Sequence, residues 1–170
     1  MQTCKATRRI EFDMGHRVPN HKSKCRNVHG HRYVLLVTAE APLISDAGDS
    51  SEGMVIDFGD MKRLIGGWID DALDHGYMGH QTLDREMLDY LAKSNMKHTE
   101  VSFIPTAENI AAFLFVEANK LLSAEKKEGQ EYLRVSQIVL YETPNGSVEV
   151  NAGDLPPDFD YFAKSYVPTV

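Results

Sequence analysis

The sequence predicts an α+β domain in which an antiparallel sheet is covered on one side by helices. Three observations carry that reading. Polar and apolar residues alternate near both ends of the chain, apolar residues recur at helical spacing in between, and turn-forming residues separate the runs. The order is hairpin, helices, hairpin. At 170 residues the chain suits one domain with a sizeable core, expected to span 1–170.

The first strand runs from Cys4 to His16. Ala6, Ile10, Phe12, Met14 and His16 share one face, with Arg8 as its exception, while Lys5, Thr7, Arg9, Glu11 and Asp13 share the other. The polar connection PNHKSKCRN leads to a second strand, from about His29 to Glu40, rich in β-branched and aromatic residues. APLISDAGDSSEG reads as a loop. In DFGDMKRLIGGWIDDALD, Phe58, Met61, Ile65, Trp68 and Ala72 recur at helical spacing, and Asp57 is placed to cap the helix. Leu83 to Ser94 predicts a short amphipathic helix with Met87 and Leu91 in its core face. IPTAENIAAFLFVEANKLL predicts a longer one, with Pro105 ahead of it and Thr106 as its N-cap. EYLRVSQIVLYET alternates again, PNG makes a turn, and SVEVNA returns as a short strand. The tail from Gly153 onward is expected to pack along a surface. A four-stranded sheet leaves two open edges, and strand-to-strand oligomerisation is one way to cover them.

Composition narrows the function. A net charge of −7 argues against a nucleic-acid binder, which needs clustered Lys and Arg, yet leaves room for a small phosphorylated substrate in a local basic pocket. No run approaches the roughly 20 apolar residues of a membrane span. The N-terminal MQTCKATRRIEF has no apolar core of a signal peptide, so the expected location is the cytoplasm. Two cysteines, Cys4 and Cys25, do not make a disulfide framework, so Cys25 is expected as a free thiol.

The chemistry concentrates in CRNVHGHRY. His29 and His31 lie two apart on a strand and therefore project from one face. A bare His-x-His is also what a solvated strand start looks like. His16 ends the buried face of the strand expected to pair with this one, and a third imidazole there makes an open, catalytic type of zinc site. Cys25, flanked by Lys22, Lys24 and Arg26, has the surroundings of a thiolate base or nucleophile, or is a surface thiol without a role. Asp74 and His75 offer a carboxylate beside an imidazole for proton transfer. Adjacent side chains seldom bond to each other, so a capping or solvated role competes. Glu142, at a strand end, is suited to two N–H donors of a guanidine-like ring edge, or is a solvent-facing carboxylate.

In order along the chain, FDMGH, a Cys followed after three residues by HGH, then VIDFGDMK, LDH, PTAEN and YET resemble the motifs of the 6-pyruvoyl-tetrahydropterin synthase family. The closer likeness is to its bacterial branch, the 6-carboxy-tetrahydropterin synthases of the queuosine pathway. The resemblance runs from about residue 8 to residue 150. It implies the tunnelling fold (T-fold), a four-stranded antiparallel sheet with helices between its two hairpins. It also implies that three subunits join their sheets into a barrel and that two trimers stack. It implies Zn2+ on His16, His29 and His31, Cys25 as catalytic base, and Asp74 with His75 as a proton-relay pair reaching the site from an adjacent subunit. Glu142 would anchor the pterin's 2-amino-4-oxo edge, with Thr106 and Glu108 lining the same pocket. The implied substrate is 7,8-dihydroneopterin triphosphate, and the implied products are 6-carboxy-5,6,7,8-tetrahydropterin, acetaldehyde and triphosphate.

The short interval between Cys25 and His29 resembles the carboxy branch, since the pyruvoyl branch usually has a longer one. Cys25 also sets the chain apart from relatives that carry Glu there and serve folate synthesis. The chain departs from the family pattern at Met14 and Gly15, where alanine-like residues are usual, and at Gly76, where a second His is frequent. The segment 77–104 is longer than bacterial members typically need, and a tail of 153–170 follows the domain. A 6-pyruvoyl-tetrahydropterin synthase and a non-catalytic, zinc-stabilised pterin-binding protein stand as the alternatives.

Overall fold

The computed structural model describes residues 3–124, 132–156 and 159–169; Glu131 of the predicted strand and Pro157, Asp158 and Val170 of the tail lie outside them. The chain runs β1 (Thr3–His16), a 3-10 turn (Lys24–Arg26), β2 (His29–Pro42), α1 (Phe58–Met61), a π-helical turn (Lys62–Gly66), α2 (Gly67–Ala72) and β3 (Gly76–His80). It continues through α3 (Arg85–Lys93), β4 (His98–Val101), α4 (Ala107–Ala124), β5 (Arg134–Thr143), β6 (Gly146–Asn151) and β7 (Ala163–Tyr166).

β1 and β2 pair without a break, from Thr3 opposite Pro42 to His16 opposite His29. The alternation fixes this register, because a slip of one residue would turn Phe12, Met14 and His16, all buried, out to solvent. β5 pairs with β2 and β6 with β5, completing the four predicted antiparallel strands. Three more strands extend the sheet beyond β1, giving the order β6-β5-β2-β1-β3-β4-β7. β3 lies parallel to β1 and β4 parallel to β3, and β7, from the tail, closes antiparallel on β4. Alternation gives no warning of β3 and β4, because every residue of β4 and the three central residues of β3 are buried, so their two faces read alike. β3 touches β1 only at Met14 and Gly15, so among the described residues the outer edge of β1 from Thr3 to Asp13 carries no strand.

The helices cover the face on which Phe12, Tyr33, Leu35, Ile138 and Leu140 are buried. α4 supplies Ile110, Phe113, Leu114 and Leu122, and Phe113 packs against Trp68, Phe103 and Tyr161. Asp57 caps α1 as expected, its Oδ1 accepting from the Gly59 N–H at 2.5 Å. Two expectations need correction. Phe58 is 52% exposed, because it stands in the first turn ahead of Met61, where the helix first reaches the core. In α3 the buried residue is Leu88, while Met87 is exposed; the inward face follows Asp84, Leu88 and the half-buried Leu91. Among the described residues no helix is long and apolar enough to cross a membrane.

Candidate active site

The register that sets His16 opposite His29 also brings His31 onto the same face. The ring centroids stand 4.6 Å (His16–His29), 5.3 Å (His16–His31) and 5.0 Å (His29–His31) apart. One nitrogen from each ring lies within 4.8 Å of the others. Gly30 lets the two strands approach here, since a Cβ at that position would stand 3.1 Å from the Met14 carbonyl oxygen.

Each ring is aimed by the backbone. His16 donates from Nδ1 to the Pro105 carbonyl at 2.7 Å, and His29 from Nδ1 to the Asn27 carbonyl at 2.7 Å. Both rings therefore keep a lone pair on Nε2, the arrangement that outer hydrogen bonds give to metal-binding histidines. The Nε2 atoms of His16 and His31 are buried and have no hydrogen-bond partner. Glu142 Oε1 faces them at 3.5 and 3.9 Å.

Protonation is not what reconciles these groups. Burial lowers the pKa of His16, and although the Pro105 bond and Glu142 act the other way, the two neighbouring imidazoles add to the lowering. His31 is lowered for the same leading reason. Three converging imidazoles are a donor set for a divalent cation, and nitrogen donors of this kind suit zinc. Three imidazoles leave a coordination position for substrate. Tyr33 completes the wall, fully buried with its hydroxyl unpartnered and its ring 5.7 Å from His31. Burial, then Glu142, raises its pKa and keeps it a neutral phenol.

Cys25 is a half-buried free thiol on the 3-10 turn, four residues ahead of His29. That turn is capped by Ser23, whose Oγ accepts from the Lys24 N–H at 2.6 Å, and is tied to β1's exit by the Val18 N–H donating to the Cys25 carbonyl at 2.8 Å. Lys22, Lys24 and Arg26 are exposed around it. Thr106 caps α4, with Oγ1 accepting from the Asn109 N–H at 3.4 Å. It follows Pro105, whose carbonyl holds His16, so the helix start and the imidazole cluster are joined. Glu108 is exposed in the first turn of α4.

Asp74 and His75 do bond to each other, against the expectation for adjacent side chains. His75 Nδ1 donates to Asp74 Oδ2 at 2.6 Å. The cause is the backbone, since His75 is left-handed at φ 58°, which folds its ring back over Asp74. The other carboxylate oxygen accepts from the Asp13 N–H at 2.7 Å, and the His75 N–H donates to the Asp13 carbonyl at 2.6 Å. Partial burial raises the Asp74 pKa, but the Asp13 N–H, His75 and Lys97 outweigh it and hold the carboxyl below its usual value. His75 borders a shallow cleft with Asp13, Gly15, Gly30, His31 and Arg32. Asp13 and Arg32 project from the sheet face opposite to His16 and His31, and the pair groups with Asp13 rather than with the three histidines.

Four parts of this geometry are not singled out by the sequence. The Asn27 and Pro105 carbonyls belong to the backbone, and Lys97 comes from the loop before β4. Tyr33 alone carries a signal, standing two residues beyond His31 on the same inward row.

Residues 5–153 match the sequence profile of 6-pyruvoyl tetrahydropterin synthase. The chain belongs to that family. A protein of Rickettsia bellii named 6-carboxy-5,6,7,8-tetrahydropterin synthase is 43% identical over 147 residues, covering 86% of this chain and 99% of its own. The protein of that name from Haemophilus influenzae is 37% identical over 147 residues, covering 85% and 96%. A Pongo abelii 6-pyruvoyl tetrahydrobiopterin synthase is 30% identical over 159 residues, covering 85% and 90%. Among solved structures, Caenorhabditis elegans 6-pyruvoyl tetrahydropterin synthase superposes with a TM-score of 0.60 at 21% identity, covering 90% of this chain and 98% of its own. An uncharacterized protein of Wolinella succinogenes reaches 0.67 at 22% identity, covering 89% and 99%. These structural likenesses establish the T-fold.

Proposed function

We propose that this chain is a zinc-dependent 6-carboxy-5,6,7,8-tetrahydropterin synthase, a lyase that converts 7,8-dihydroneopterin triphosphate to 6-carboxy-tetrahydropterin, acetaldehyde and triphosphate. The observation that carries the reading is the convergence of unpartnered, buried imidazole nitrogens and Glu142 at the mouth of the loop bearing Cys25. Relatives that carry the 6-carboxy name at 37–44% identity over most of the chain support the same branch.

His16, His29 and His31 would hold the zinc. Bound there, it would supply Lewis acidity toward the hydroxyls of the substrate side chain. Glu142 accepts the ring-edge N–H donors of the pterin, with Thr106 and Glu108 at the border of the same pocket. Cys25 is the base that takes a proton from the side chain, and its place on a tied turn fixes where it acts. His75, oriented by Asp74 through Nδ1, gives or takes a proton at Nε2. Because the pair groups with Asp13 and not with the three histidines, it serves a neighbouring subunit's site in this reading. The strandless stretch of β1 and the free edge of β6 are where subunits would join, as a trimer or a dimer of trimers. The enzyme would work in the cytoplasm, as part of queuosine synthesis.

Replacing Cys25 by Ala tests the reading. Turnover is expected to fall by roughly 10²–10⁴-fold, the usual worth of a positioned acid or base, while zinc content and pterin binding stay at parental levels. Retained activity in Cys25→Ala would remove the thiol from the mechanism.

A further inference from the structure

We infer that Lys97 is a positioning residue for the Asp74–His75 pair and that this is what the segment 77–104 contributes to the site; the inference rests on reading that pair as a proton relay. The helix leading to the pair ends at Ala72, and its last carbonyls have no partner within the helix. Lys97 Nζ donates to the carbonyls of Asp70 at 2.7 Å and Asp74 at 2.9 Å, and Thr99 Oγ1 donates to that of Ala72 at 3.0 Å. An ammonium thus stands at the negative end of the helix dipole and grips the peptide that joins Asp74 to His75.

The stem of Lys97 lies over Gly76. A Cβ built on Gly76 would stand 3.2 Å from both Cγ and Cδ of Lys97 and 3.0 Å from the Leu73 carbonyl oxygen. The glycine after Leu-Asp-His therefore makes the room that Lys97 occupies. His75 is held in its left-handed conformation from two sides, by its N–H on the Asp13 carbonyl and by the Asp74 peptide fixed to Lys97. The titratable and charged groups around the Asp74 carboxylate are His75, the Asp13 carboxylate, which lies within 4.8 Å of it, Lys97 from the β4 side, and Arg32 on β2, which pairs with Asp13 at 3.2 Å. Lys97 is the one among them that is both bonded to the Asp74 backbone and close enough to favour its ionised form. Its removal is expected to loosen the His75 ring and to let Asp74 protonate at a higher pH.

Two substitutions separate charge from bulk. Lys97→Met keeps an aliphatic stem over Gly76 without the charge or the hydrogen bonds, and Lys97→Arg keeps both. In protein labelled with 13C at its aspartates, the Asp74 carboxyl signal is assigned by its loss in Asp74→Asn. It is expected to titrate at higher pH in Lys97→Met than in the parent, and as in the parent in Lys97→Arg. With 7,8-dihydroneopterin triphosphate, kcat is expected to fall about tenfold in Lys97→Met at near-constant KM, part of the full worth of a proton-transfer group, and to be kept in Lys97→Arg. Parental titration and kcat in Lys97→Met overturn the inference alone. Full turnover in His75→Ala overturns the relay from which it starts.

Discussion

Both carboxylate oxygens of Asp74 are in use, one by the Asp13 N–H and the other by the His75 ring. Its folded pKa is depressed below the ordinary 3.8, so the ionised form contributes stability in full above that value and loses it as the pH falls toward the folded pKa. Asp74→Asn is therefore expected to be less stable than the parent at pH 7, with the gap closing on acidification below about pH 3.8. Urea midpoints across that range test this; a gap that does not change with pH would contradict it. The same residue marks how far a sequence can be read at this scale. His16, His29 and His31 are legible because strand alternation and hairpin register are set by the residues themselves. The Asp74–His75 bond is not, because it depends on one left-handed backbone angle that no spacing reveals.

Among the elements, long half-buried strands and amphipathic helices announce themselves, as β1, β2, β5 and α4 do. β3 and β4 do not, being short and buried throughout their centres. β7 is legible only once β4 exists to receive it. The tail secures that edge: Tyr166 stacks on His98 with ring centroids 4.4 Å apart, and Asn95 bonds the Thr169 backbone at both its N–H and its carbonyl. Thr99 Oγ1 also meets Ser165 Oγ at 3.0 Å. Deleting residues 159–170 is expected to speed amide exchange at 98–101 while leaving β1 and β2 protected. Tm is expected to fall by at least roughly 2–4 °C, the effect of about 1 kcal/mol on a chain of this size. Unchanged exchange along β4 would show that the tail is not what holds it. This edge matters to function because Lys97 stands directly before β4.

In the whole molecule the chemistry falls into two groups. One group holds the imidazoles, with Glu142 and Tyr33 beside them, and the other joins Asp74 and His75 to Asp13. Among the described residues, β6 ends the sheet and β1 pairs with β3 only at Met14 and Gly15. In the proposed function, assembly would bring the pair of one subunit to the imidazoles of another across such edges. The family follows from the match over residues 5–153, and the carboxy reaction is the step that one assay decides. The purified protein is incubated with 7,8-dihydroneopterin triphosphate, with and without a zinc chelator, and the products are identified by mass spectrometry. The expected result is 6-carboxy-tetrahydropterin with acetaldehyde, formed only without chelator and restored by added zinc. A 6-pyruvoyl product, or bound pterin without turnover in zinc-loaded protein, would contradict it.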